Sequence, residues 1–101
     1  MAHGDWKDLI QGIQDNNIAL VKYYISIGVD INFQHPEIMS SPLIESIRCG
    51  YMEITALLLA HGARPELKEA FSNKSPMQIA EEMGNEEALL LLKQLTKAKD
   101  L

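Results

Sequence analysis

A step of 34 residues repeats along the chain. Ser41-Pro42-Leu43-Ile44 returns as Ser75-Pro76-Met77-Gln78, Gly28 pairs with Gly62, and Gly50 pairs with Gly84. The same step taken backwards sets Leu9 under Leu43, Ile13 under Ile47, Asn16 under Gly50 and Ile25 under Leu59. A fixed period of this size is the signature of stacked supersecondary units that cannot fold singly. Three units tile one domain over residues 1–101, at about 7–40, 41–74 and 75–101.

Each unit reads as two short helices and a long turn. In the middle unit Leu43, Ser46 and Ile47 fall at i, i+3 and i+4, one helical stripe. Ser41 is a suitable N-cap, and Pro42 stands at the first helical position, where a missing N–H costs nothing. Gly50 and Gly84 stop the first helices, because the residue after a helix adopts left-handed dihedrals that cost other residues about 1 kcal/mol or more. Asn16 is the next best residue for that place. A second helix from about Met52 to His61 turns Ile54, Leu57 and Leu58 inward, and the segment from Gly62 to Ser75 is an extended turn. Helices this short do not persist alone, so the chain is expected to be an all-α solenoid.

These residues resemble the ankyrin repeat family, whose unit has a Thr-Pro-Leu-His start, a Gly between its helices and a Gly-Ala-Asp-Val-Asn exit. The middle unit matches with Ser41-Pro42-Leu43, Gly50, Glu53-Ile54, Leu57-Leu58-Leu59 and Gly62-Ala63. The first supplies the exit as Gly28-Val29-Asp30-Ile31-Asn32, and the third has Ser75-Pro76-Met77, Ile79-Ala80 and Gly84-Asn85. The resemblance implies helix-turn-helix pairs joined by long hairpin-like turns. Departures include Ser for Thr, Arg64-Pro65 for Asp-Val, and Ile10, Ile44 and Gln78 where the family has its His. That His bridges neighbouring loops in the family, so the loops here are expected to be held by other means.

The resemblance further implies protein binding through the turns and the concave face of the first helices. With Leu43, Ser46 and Ile47 facing the core, Glu45, Arg48 and Cys49 point away, as do Gln11, Gln14 and Asp15 before them and Ile79, Glu82 and Met83 after. The turns add Phe33, His35, Ile38 and Met39, then Glu66, Lys68, Glu69 and Phe71. Phe33 shares a repeat position with Leu67 and is a candidate for packing between turns, whereas Phe71, Ile38 and Met39 are the better anchors. Glu45, Glu66, Glu69, Glu82 and Asp15 make the expected negative surface. Trp6 is expected over the open N-terminal end of the stack, and the tail from Thr96 over an outward-facing Leu90.

Fourteen acids against nine bases leave a formal charge of -5, which disfavours nucleic-acid binding and suits a basic protein partner. A single cysteine excludes an intrachain disulfide, and no apolar run reaches the ~18 residues of a membrane span. The first residues lack the pattern of a signal peptide, and a cytoplasmic location is expected. No phosphate loop, nucleophile elbow or zinc motif occurs, and His3, His35 and His61 share no metal-ligand spacing. No catalytic residue, cofactor or metal is therefore expected. The chain reads as a non-enzymatic binding module, with an inhibitor or immunity-type protein as the narrower expectation. The alternatives are a scaffold or adaptor subunit, or a homodimer through the terminal helix in place of a monomer.

Overall fold

The computed structural model describes residues 3–100, with side chains from Asp5 to Gln94. Six helices follow one another: α1 (His3–Gln14), α2 (Ile18–Ser26), α3 (Pro42–Cys49), α4 (Met52–Ala60), α5 (Pro76–Met83) and α6 (Glu86–Asp100). No strand lies among the described residues. The helices form two layers, α1, α3 and α5 in one and α2, α4 and α6 in the other, and each helix packs on its neighbours within and across the layers. The chain is thus the all-α solenoid that its period predicts.

Local chemistry sets the helix ends. The Ser41 side chain accepts from the Ile44 N–H at 3.2 Å, and Pro42 opens α3. Ser75 and Gln78 form a reciprocal capping box, in which Gln78 N–H donates to Ser75 Oγ and Ser75 N–H donates to Gln78 Oε1. Gln78, in the place of the family's His, thus serves its own helix start. Asn17 and Asn85 cap α2 and α6, accepting from Leu20 and Ala88 N–H groups.

The three stops after first helices all lie in the left-handed region: Asn16 at φ 53°, Gly50 at 77° and Gly84 at 64°. A methyl group at Gly84 would meet nothing within 4 Å, so only the backbone opposes it. Gly84→Ala is expected to cost about 1 kcal/mol and ~4–8 °C in melting temperature. A melt unchanged within 2 °C would refute that account.

Leu9, Ile13, Leu43, Ile47, Ile54, Leu58 and Leu92 build one continuous core through all three units. Ser46 is buried in it without penalty, since its hydroxyl donates to the Leu43 carbonyl at 2.7 Å and meets Thr55 Oγ1 at 2.8 Å. Trp6 does not cover the end of the stack. It is 2% exposed and lies beneath the first turn, edge-on to Phe33 (centroids 5.7 Å apart) and stacked on His35 (6.0 Å).

One expectation for the inner layer fails. Ile79 is buried, although helical projection set it outward beside Glu82 and Met83. Its repeat equivalent Glu45 is half-buried, so this row lies on the boundary between surface and core, where an apolar side chain turns in. The tail does not fold over Leu90 either: α6 continues as helix to Asp100, and Leu90 stays 60% exposed. Leu101 lies outside the described residues.

Candidate functional site

The two long turns lie side by side and are latched by two side-chain amides. Asn32 in the first turn donates from Nδ2 to the Gly62 carbonyl at 3.0 Å and accepts from the Arg64 N–H at 2.9 Å. Gln34 repeats the device, donating to the Lys68 carbonyl at 2.7 Å and accepting from the Ala70 N–H at 2.8 Å. Each amide satisfies a backbone donor and a backbone acceptor of the next turn together. These are the other means by which the loops are held. Asn32 stands in the sequence as the last residue of the repeat exit and Gln34 as a turn residue, but the pattern assigns neither of them this latch.

Both turns close alike. The His35 carbonyl accepts from Ile38 and Met39, and the Glu69 carbonyl, one repeat later, accepts from Asn73 at 2.7 Å. Met39 and Asn73 occupy the same repeat position with left-handed backbones, at φ 57° and 58°. Asn tolerates that region, whereas Met is strained there. A third link joins the tips, as the Phe71 N–H donates to the Met39 carbonyl at 2.9 Å. Phe71 (76% exposed), Ile38 and Met39 therefore rise as exposed apolar side chains from two turns joined by hydrogen bonds.

Several candidate contact residues are instead internal. Glu69 is 2% exposed and does not contribute to a negative surface. Arg48 reaches it through Nη2–Oε1 at 2.6 Å and Nε–Oε2 at 3.3 Å, while Ser40 and Ser72 donate to the same carboxylate at 2.7 and 2.8 Å. Burial alone would raise the Glu69 pKa, but the hydrogen bonds from Arg48, Ser40 and Ser72 and the charge of Arg48 outweigh it and hold the carboxyl below its ordinary value. The bond to Glu69 likewise raises the Arg48 pKa. This pair ties the end of α3 to both turns: Glu69 supports the tips from beneath, while the Arg48 side chain stays exposed beside it. Sequence could not align them, because their contact depends on the path of the second turn.

His35 is buried against Trp6, and its Nδ1 accepts from the Glu37 N–H at 3.1 Å. Phe33 is half-buried on the core, as its repeat position allowed. Glu82 is exposed but pairs with Lys74, which neutralises part of the expected negative patch. Glu45 is half-buried, and Glu66 and Lys68 are exposed along the second turn. Cys49 and Met83, equivalent residues at the ends of α3 and α5, are exposed on the inner layer. Burial and then Glu45 push the Cys49 thiol pKa up, which disfavours the reactive thiolate. His61 follows α4 in the other layer, so the structure does not assemble it with Cys49.

Among the described residues no cluster of three His, Cys, Asp or Glu side chains could hold a metal, and no helix is long and apolar enough to cross a membrane.

The family model described as ankyrin repeats in three copies matches residues 9–100. Among curated proteins, the palmitoyltransferase AKR1 of Lachancea kluyveri is 43% identical over 56 residues, 55% of this chain and 8% of that protein. The palmitoyltransferase ZDHHC13 of Mus musculus is 43% identical over 61 residues, 58% of this chain and 10% of that protein. The ARF GTPase-activating protein GIT2 of Mus musculus is 31% identical over 81 residues, 80% of this chain and 11% of that protein. The chain thus spans about a tenth of the length of these relatives, and what it matches is their ankyrin-repeat regions. Ankyrin repeats are modules of protein–protein interaction that carry no catalysis of their own. With three repeat units, glycine-stopped helix pairs and turns latched side by side, the chain belongs to the ankyrin repeat family.

Proposed function

We propose that the chain docks a protein partner on its joined turn tips, with Phe71, Met39 and Ile38 as anchors and the Cys49–Met83 row of the inner layer as a flanking contact. One observation carries this reading. Three large apolar side chains are exposed on turns whose backbones are fixed by side-chain amides and by the Phe71–Met39 hydrogen bond. A pre-ordered apolar tip binds without the entropy cost of ordering a loop. The strain at Met39 agrees with this, since strained backbone gathers where geometry serves binding.

The charge of -5 favours the approach of a basic partner. With Glu69 internal and Glu82 paired, contact energy comes mainly from the apolar tips. The narrower reading is an inhibitor: a rigid tip seated on a partner's functional surface blocks it sterically.

Capture of a partner from native lysate, with calorimetry on the purified pair, tests both levels. Phe71→Ala and Met39→Ala are each expected to weaken binding about tenfold or more and leave melting unchanged. Wild-type affinity in both variants would refute the tip as the docking site. A partner that keeps full activity at saturation would refute inhibition and leave a scaffold or adaptor role.

A further inference from the structure

The outer layer exposes an apolar side chain on α6 as well as on and after α2, where Tyr23 and Ile27 are exposed. Leu90 shares its repeat position with Ala56 and Lys22, and at 60% exposure it faces outward from α6. Beside it runs a shallow groove of about 270 Å³ between α4 and α6, lined by Ala56, Leu59, Ala60, Leu91 and Gln94. The corresponding groove between α2 and α4 is lined by Lys22, Ser26 and His61 together with Ile25 and Leu57. The groove beside Leu90 therefore lacks the lysine and histidine side chains that line its counterpart.

The charges around Leu90 indicate what covers it. Glu86 lies four residues before Leu90 and Lys93 three residues after, and both are exposed. At 100° per residue both fall on the same edge of the Leu90 stripe, about 40° and 60° to one side. If two copies of α6 pack antiparallel about a twofold axis at Leu90, Glu86 of each copy lies across from Lys93 of the other. Glu87 and Gln94 meet likewise on the opposite edge. A self-complementary patch of this kind suits a twofold, isologous contact. We infer that the outer face of α6 is a homodimer interface, with Leu90 at its centre and two Glu86–Lys93 pairs at its rim. The patch is small beside the ~1,200–2,000 Å² of stable complexes, so the dimer is weak and reversible. It leaves the turn tips open, and its success or failure is independent of the docking reading.

Sedimentation equilibrium of the full chain from about 10 μM to 1 mM tests the inference. The expected mass rises from 11.3 kDa towards twice that value across the series. Leu90→Lys is expected to remain monomeric throughout with unchanged melting. Lys93→Glu is expected to weaken association about fivefold, and adding Glu86→Lys to it to restore wild-type association. A mass constant at the monomer value up to 1 mM overturns the inference. So does a Leu90→Lys chain that associates like wild type, or a charge exchange that fails to restore association.

Discussion

Glu69→Ala is expected to lower the melting temperature by about 10–20 °C at neutral pH, although position 69 lies in a turn. The carboxylate is buried and receives hydrogen bonds from Arg48, Ser40 and Ser72. Removing one member of a buried pair ordinarily costs about 3–5 kcal/mol. Here the Arg48 side chain is 39% exposed and regains water, which reduces the cost to about 2–3 kcal/mol. Each kcal/mol moves the midpoint of a domain this size by ~4–8 °C.

The same residue sets an acid limit. Its folded pKa lies below the ordinary value of 4.5, so its stabilisation is fully present above that value and is lost as pH falls through the folded pKa. Glu69→Gln keeps the shape and is expected to flatten the decline in stability below about pH 4.5. Thermal melts between pH 3 and 7 measure both effects. A Glu69→Ala midpoint within 3 °C of wild type, or an unaltered acid decline in Glu69→Gln, would contradict this role.

A still larger loss is expected from Trp6→Ala, about 3–5 kcal/mol in denaturant unfolding. The indole fills the space beneath the first turn, and its removal takes the support from Phe33 and His35 together. Domains of this kind are stable by only about 5–15 kcal/mol, so the first unit would be compromised. The indole Nε1 is buried with no hydrogen-bond partner among the described residues, a cost that the wild type already carries. Trp6→Phe removes that orphan donor while filling most of the volume, and a loss of only about 1 kcal/mol is expected. Circular dichroism must follow the unfolding, because Trp6 is the sole tryptophan. Equal losses in the two variants would show that volume is not what Trp6 supplies.

What the sequence made legible was either local or periodic. Ser41 and Ser75 cap helices through residues three positions away, and Asn16, Gly50 and Gly84 stop them by their own backbone. The core stripe of Leu43, Ser46 and Ile47 follows from helical geometry. Phe71, Ile38 and Met39 were readable as exposed because no apolar residue stands at the equivalent position of the other turn. The errors at Glu69 and His35 concern where irregular backbone leads. Glu69 and His35 occupy one repeat position that points under the tip, so a carboxylate and an imidazole taken for surface groups were internal. The partner of Glu69 is Arg48, 21 residues earlier, and nothing in composition or period brings them together. Ile79 went wrong because a single helix projection has no knowledge of how far its neighbour covers the boundary row.

The amide latches make the three units non-interchangeable. Asn32 and Gln34 grip the second turn, but the residues one period later are Glu66 and Lys68, and neither side chain offers a paired donor and acceptor. If residues 41–74 were copied in tandem to lengthen the protein, the helices would continue to stack by their shared apolar stripe. The new pair of turns would face each other without the clasp. Growth of this solenoid by simple duplication thus yields a longer stack with a splayed tip. A variant that keeps the tips aligned needs an amide at both 66 and 68.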